Sequence, residues 1–146
     1  MRIVTMDESH VAAIAQLEKL CFSDPWSEKS IGSELNNRLS YWLVAMEGDA
    51  LVGYVGSQSV LAESDMMNIA VHPEHRRKGI AEALVLALVA GLSEKGNHSL
   101  MLEVRVSNDP AIALYEKLGF VQVGRRPNYY RNPKEDALIL RKEWQI

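Results

Sequence analysis

The stretch Ile69 to Ala81, I-A-V-H-P-E-H-R-R-K-G-I-A, gathers the parts of an anion site at one point. An apolar strand stops at His72-Pro73, because proline fixes φ and cannot donate to the next ladder bond. Arg76, Arg77 and Lys78 follow in a turn, and Gly79 opens a long apolar helix. Unpaired N–H groups and the positive end of a helix dipole together suit phosphate. Gly79 lets the backbone approach a ligand where a Cβ would obstruct it. The pattern predicts a pyrophosphate site, against the alternative of a solvated basic turn. Neither G-x-x-x-x-G-K-[ST] nor G-x-G-x-x-G occurs. That excludes a P-loop hydrolase and argues against a Rossmann dinucleotide site.

Downstream, Glu103 interrupts the apolar strand Leu100 to Val106. A carboxylate there needs a reason, since burial without a partner is costly. It could pair with Arg105, two residues on and therefore on the same face. Equally, desolvation could tune it as a general base. Asn108 or Asp109 caps the next helix, in which Tyr115 is either a core ring with a bonded hydroxyl or a proton donor. His72 and His75 are a loop pair without the Cys or carboxylate partners of a metal set, so no metal is expected. Cys21 reads as helix core, and Tyr129-Tyr130 as exposed recognition residues or an edge pair.

The elements that must position these residues follow from periodicity. Strands are expected at Arg2–Met6, Tyr41–Glu47, Leu51–Val60, Met66–Val71, Leu100–Val106, Phe120–Val123 and Ala137–Lys142. Helices are expected at Asp7–Cys21, from a Ser27 cap to about Asn37, from Gly79 to about Lys95, and at Pro110–Leu118. The first should bury Val11, Ile14, Leu17, Leu20 and Cys21; the third is apolar nearly all round and should be buried against a sheet. The order β-α-α-β-β-β-α-β-α-β-β calls for an α/β fold, a mixed sheet of about seven strands with about four helices on both faces.

The chain of 146 residues reads as one domain spanning 1–146. Its net charge of -3 argues against a nucleic-acid binder, and its longest apolar run, Ala83 to Leu92, is too short for a membrane span. A lone cysteine and a start that turns polar at Asp7-Glu8 point to a reducing cytoplasm and no signal peptide.

Three separated blocks then resemble the GNAT N-acetyltransferases. They are the Arg76-x-x-Gly79-x-Ala81 turn, L-E-V-R-x-S-N at Leu102 to Asn108, and A-L-Y-E-K-L-G-F at Ala113 to Phe120. With D-P-W-S-E-K from Asp24 and N-Y-Y at Asn128 to Tyr130, the chain is similar to the RimI-type ribosomal protein alanine N-acetyltransferases within that superfamily. The resemblance implies acetyl-CoA as donor and direct attack by an amine in a ternary complex. Ile69, Ala70 and Val71 would hold the pantetheine arm and polarise the acetyl carbonyl. The N–H groups of Arg77, Lys78, Gly79, Ile80, Ala81 and Glu82 would cradle the pyrophosphate, with Asn108 a further contact. Glu103 would be the base and Tyr115 the acid. Trp26, Tyr129 and Tyr130 would contact the acceptor, the N-terminal alanine of a small basic ribosomal protein. Asp24, Glu28, Glu63 and Asp65 are candidates to attract its tail. A small-molecule amine or a lysine is the alternative acceptor, and a non-catalytic CoA-binding module the alternative of another class.

Overall fold

The computed structural model describes residues 1–145. Its strands are β1 (Arg2–Thr5), β2 (Ser40–Glu47), β3 (Ala50–Val60), β4 (Glu63–Val71), β5 (Ser99–Arg105), β6 (Val121–Tyr130) and β7 (Glu135–Glu143). The helices are α1 (Val11–Cys21), α2 (Glu28–Ser33), α3 (Ile80–Glu94) and α4 (Asp109–Lys117). The strands form one sheet in the order β1-β2-β3-β4-β5-β7-β6. All neighbours are antiparallel except β4 and β5, whose parallel pairing covers only Glu63↔Ser99, Ser64↔Leu100 and Asp65↔Met101. Beyond Asp65 the two strands part.

Apolar residues line both faces of the sheet, as alternation in β2 requires. Leu43 and Ala45 face the core of α3 and α4, whereas Trp42, Val44 and Met46 face that of α1 and α2. Caps set the helix starts. Ser27 Oγ accepts from Ser30 N–H at 3.0 Å, and Asn108 Oδ1 accepts from Ala111 N–H at 3.3 Å. Gly119, at φ 94°, sits just past the end of α4 where a left-handed residue is needed.

Four sequence expectations need correction. The first helix begins as a 3-10 turn, Glu8–His10, capped by Asp7. The second stops at Ser33 and tightens into a 3-10 turn at Glu34–Asn36. There Gly32 weakens the helix and Ser33 Oγ bonds back to Ser30 O at 2.7 Å. Leu20 is exposed and Glu18 is buried in its place. At 100° per residue, Leu20 lies roughly opposite Val11 while Glu18 falls between Val11 and Ile14. The expected short strand Phe120–Val123 runs to Tyr130 as β6. Pro127 is tolerated because β6 is an edge strand with an irregular register between Arg126 and Tyr130.

Candidate active site

Where β4 and β5 diverge, a cleft of about 1170 Å³ opens through the sheet. His72 N–H donates to Val52 O, which makes His72, Ala70 and Asn68 the residues that exchange bonds with β3. By alternation, the N–H groups of Ile69 and Val71 point the other way, into the gap that β5 has left. Ile69 N–H meets the Asn68 side-chain oxygen at 3.1 Å. Val71 O accepts from Arg76 Nε at 3.3 Å. Arg76 also approaches Cys21 Sγ at 3.7 Å, so it is folded against the strand end while Arg77 stays in the turn. Burial pushes the Cys21 thiol pKa up, and Arg76 opposes that shift.

The basic turn lies at one end of the cleft. Arg77 and Gly79 both have left-handed φ, 65° and 77°. A Cβ at Gly79 would meet no protein atom, and the left-handed φ there favours glycine. Arg77, Gly79, Ile80, Ala81 and Glu82 line the cleft, as do Ile69, Ala70, Val71 and Asn108. Lys78 is not among the lining residues; its Nζ is 3.5 Å from His75 Nδ1. The first turn of α3 thus presents its free N–H groups to the cleft, which is the donor set a pyrophosphate requires.

Glu103 and Tyr115 reach the cleft from opposite faces of the sheet. In β5, Leu100, Leu102 and Val104 are buried under α3 and α4, so Glu103 and Arg105 project to the other face. They do not pair with each other. Glu103 is bonded to Arg126 at 3.3 Å, and Arg105 to Glu135 at 3.3 Å. The sheet register explains this: β7 and β6 bring Arg126 and Glu135 alongside, whereas two residues on one strand stay a full pleat apart. Tyr115 rises from α4, 5% exposed, with its hydroxyl 4.0 Å from Met66 Sδ. Burial, with Tyr130 adding a little, pushes its pKa up to about 12.

The far end of the cleft is walled by the α1–α2 loop and the β6–β7 hairpin. Trp26 lines it from the loop, and Tyr129 and Tyr130 line it from β6. The tyrosine rings stand edge to face, 5.0 Å apart. Arg105 fixes the hairpin by donating to Pro133 O at 2.8 Å and Arg131 O at 3.0 Å, and its guanidinium covers the Tyr130 ring at 4.4 Å. Loop and hairpin touch where Ser23 Oγ donates to Asn132 O and Asn132 Nδ2 to Asp24 Oδ2. Asp24 lies in that wall, while Glu28, Glu63 and Asp65 do not line the cleft. Glu63 is held outside by Arg141 at 2.8 Å.

Glu18, Asn68, Arg105 and Arg126 were not assigned to the site from sequence. Glu18 carried a readable signal in its position on the apolar stripe of α1. Arg126 carried none, because its pairing with Glu103 depends on the strand order β5-β7-β6. Among the described residues, no group of three or more His, Cys, Asp or Glu is placed to hold a metal ion.

Comparison with known proteins agrees with this architecture. Residues 11–120 match the model of the acetyltransferase (GNAT) family. An Escherichia coli (strain K12) relative named [ribosomal protein bS18]-alanine N-acetyltransferase is 36% identical over 140 residues, spanning 94% of each chain. The crystal structure of the E. coli ribosomal-protein-S18-alanine N-acetyltransferase superposes with a TM-score of 0.91 at 33% identity, covering 99% of this chain and 94% of that one. Arabidopsis thaliana NAA60 in complex with acetyl-CoA shares the fold, with a TM-score of 0.87 at 19% identity over 97% of each chain.

Proposed function

The chain belongs to the GNAT acetyltransferases, an acetyl-CoA-dependent family, and from that premise we propose that it acetylates the N-terminal alanine of a basic ribosomal protein of the bS18 type. Residues 1–146 act as one catalytic unit in the cytoplasm. The observation that carries this reading is the approach of Glu103 and Tyr115 from opposite faces into one through-sheet cleft. A base on the acceptor side and an acid on the donor side suit direct transfer, which needs no covalent enzyme intermediate.

Acetyl-CoA fits the donor half on three grounds: the free N–H groups at the start of α3, the left-handed Arg77 and Gly79, and the inward N–H groups of Ile69 and Val71. The pyrophosphate takes the turn from Arg77 to Glu82, with the Lys78 ammonium adding charge from outside. Asn108 contacts the thiol arm. The N–H groups of Ile69 and Val71 hydrogen-bond to the arm and to the acetyl oxygen as negative charge develops on it, that of Ile69 while sharing its bond to Asn68 Oδ1. Glu103 receives a proton from the acceptor ammonium, directly or through water, and the freed amine attacks the thioester carbonyl carbon. A C–N bond forms, the C–S bond breaks, the nitrogen gives up its second proton to water, and the leaving thiolate accepts a hydrogen bond from the Tyr115 hydroxyl before it takes up a proton. Trp26, Tyr129 and Tyr130 line the acceptor's path, and Asp24 contributes the acidic wall. Arg126 already holds Glu103, so the incoming ammonium must share or displace that pairing.

A peptide library incubated with acetyl-CoA and read by mass spectrometry tests the acceptor. Nα-acetylation concentrated on peptides beginning with alanine is expected. Preferential Nε-lysine products, or faster turnover of polyamines and free amino acids, would overturn the assignment.

A further inference from the structure

Glu18 is 1% exposed and has no part in the scheme above. Its Oε1 accepts from the backbone N–H of Trp26 at 2.8 Å. Its Oε2 accepts from the Tyr54 hydroxyl and from Asn68 Nδ2, the latter at 2.6 Å. One carboxylate on α1 therefore joins the α1–α2 loop, β3 and β4. Asn68 passes the connection on, because its Oδ1 accepts from Ile69 N–H at 3.1 Å. It also follows a register shift in β4, where Gly56 faces Asn68 but the next residue, Ser57, faces Met66. Two short chains of contact thus run from Glu18 to the cleft: one ends at Trp26 on the acceptor wall, the other at Ile69 on the acetyl side.

Packing alone does not account for a carboxylate here. A buried ionic group is often no more stabilising than an apolar side chain of the same volume, and its desolvation has to be offset by donors. Three donors from three elements supply that offset, and the geometry they impose is what an apolar residue could not provide. We propose that Glu18 is a positioning residue that fixes the acceptor loop and the Ile69 edge of β4 at a set separation. This rests on the acceptor reading only in taking Trp26 as part of the acceptor wall.

Glu18→Gln keeps the shape but turns one accepting oxygen into a donor, so Trp26 loses its acceptor, or Tyr54 and Asn68 together lose theirs. Losing a hydrogen bond to a charged group should lower kcat/KM for an alanine-first peptide by about tenfold or more. Acetyl-CoA affinity, measured by calorimetry, should change by less than about twofold, because the pyrophosphate turn is untouched. Asn68→Ala cuts only the branch to Ile69, so its effect should fall on kcat and spare the peptide KM. Amide hydrogen exchange needs no acceptor: in Glu18→Gln the Trp26 and Ile69 amides should exchange faster while the α3 amides keep their protection. Uniformly faster exchange, or kinetics unchanged per folded molecule, would overturn the positioning role. A wild type that leaves the peptide unacetylated would instead overturn the acceptor reading, and the exchange measurement would still decide the role of Glu18. Should Glu18→Gln not fold, Asn68→Ala carries the same decision at Ile69.

Discussion

Tyr115 bears its proton at every ordinary pH, since burial raises its pKa to about 12. An ordinary thiol ionises near 8.5, so complete transfer from this phenol to a free thiolate is uphill by a factor of about a thousand. In the proposed scheme Tyr115 would therefore act chiefly by hydrogen-bonding to the departing sulfur, with the proton following only as the desolvated thiolate becomes more basic. This fixes the sign of the pH dependence. Below about pH 8 the acceptor α-amine arrives protonated, and because Glu103 relays that proton to water before attack in the proposed scheme, kcat/KM should rise with unit slope as pH increases. Above that it should stay flat past pH 10, because the folded phenol does not ionise there. A downturn between pH 9 and 10 that Tyr115→Phe abolishes would contradict the raised pKa. Removing either proton-transfer group should lower the rate about 10²-fold or more while acetyl-CoA affinity holds. Glu103→Gln and Tyr115→Phe, each assayed by CoA release and by cofactor titration, check this; near-normal turnover in both would remove them from the mechanism.

The elements behind the α1–α2 loop meet through a narrow set of contacts around Trp42. Its indole stacks on Tyr54 at 5.7 Å and meets Trp26 edge-on at 5.5 Å, so one ring ties β2, β3 and the α1–α2 loop together. Gly56 lies opposite Trp42 in the β2–β3 register, and a Cβ there would overlap the indole. Trp42 cannot move aside without disturbing Trp26 or Tyr54. Gly56→Ala should therefore cost about 1–3 kcal/mol by overpacking. In a chain of this size that lowers Tm by about 2–12 °C. The peptide KM should rise as Trp26 is displaced. An unshifted thermal melt would show that the indole has room to yield. Trp42 and Gly56 also mark how far the sequence could be read. Element order was legible because α1, α3 and β2 to β5 each have a face set by burial, and period follows burial. The basic turn, Glu103 and Tyr115 stand out in the sequence as residue types out of keeping with their surroundings, and the fold brings them to one cleft. The length of β6 was not: exposed along most of its length, it has no alternation to read. Nor were the Glu103–Arg126 pair and the Glu18 junction, because each depends on which strands and helices become neighbours.

At the scale of the whole molecule, the tyrosines buried around the candidate cleft should also limit alkaline stability. Tyr115 and Tyr130 both have pKa values raised to about 12, chiefly by burial, and in the unfolded chain both would ionise near 10. Between those values the unfolded chain has released protons that the folded one retains, so stability falls as pH rises from about 10 to 12. For Tyr115, a rise of about two pKa units amounts to about 2–3 kcal/mol by pH 12. Tyr130 contributes less, since solvent screens its half-open ring. The acid side runs the other way. Asp7, Glu135 and Asp136 are held below the usual carboxylate range, mainly by hydrogen bonds from Ser9, Ser107 and Asn128. Their stabilisation is present above about pH 4 and is lost as pH falls through their folded values. Glu18 opposes this trend, because burial raises its pKa and protonation relieves its desolvation. Urea unfolding followed by circular dichroism at pH 8 to 12 should show a midpoint that is level to about pH 10 and then declines. Tyr115→Phe removes the larger of the two ionisations, so its decline should be shallower by about half or more, whatever the variant does to stability at neutral pH. Parallel declines in wild type and variant would place the alkaline weakness outside the cleft and separate the stability of the fold from the burial of its acid.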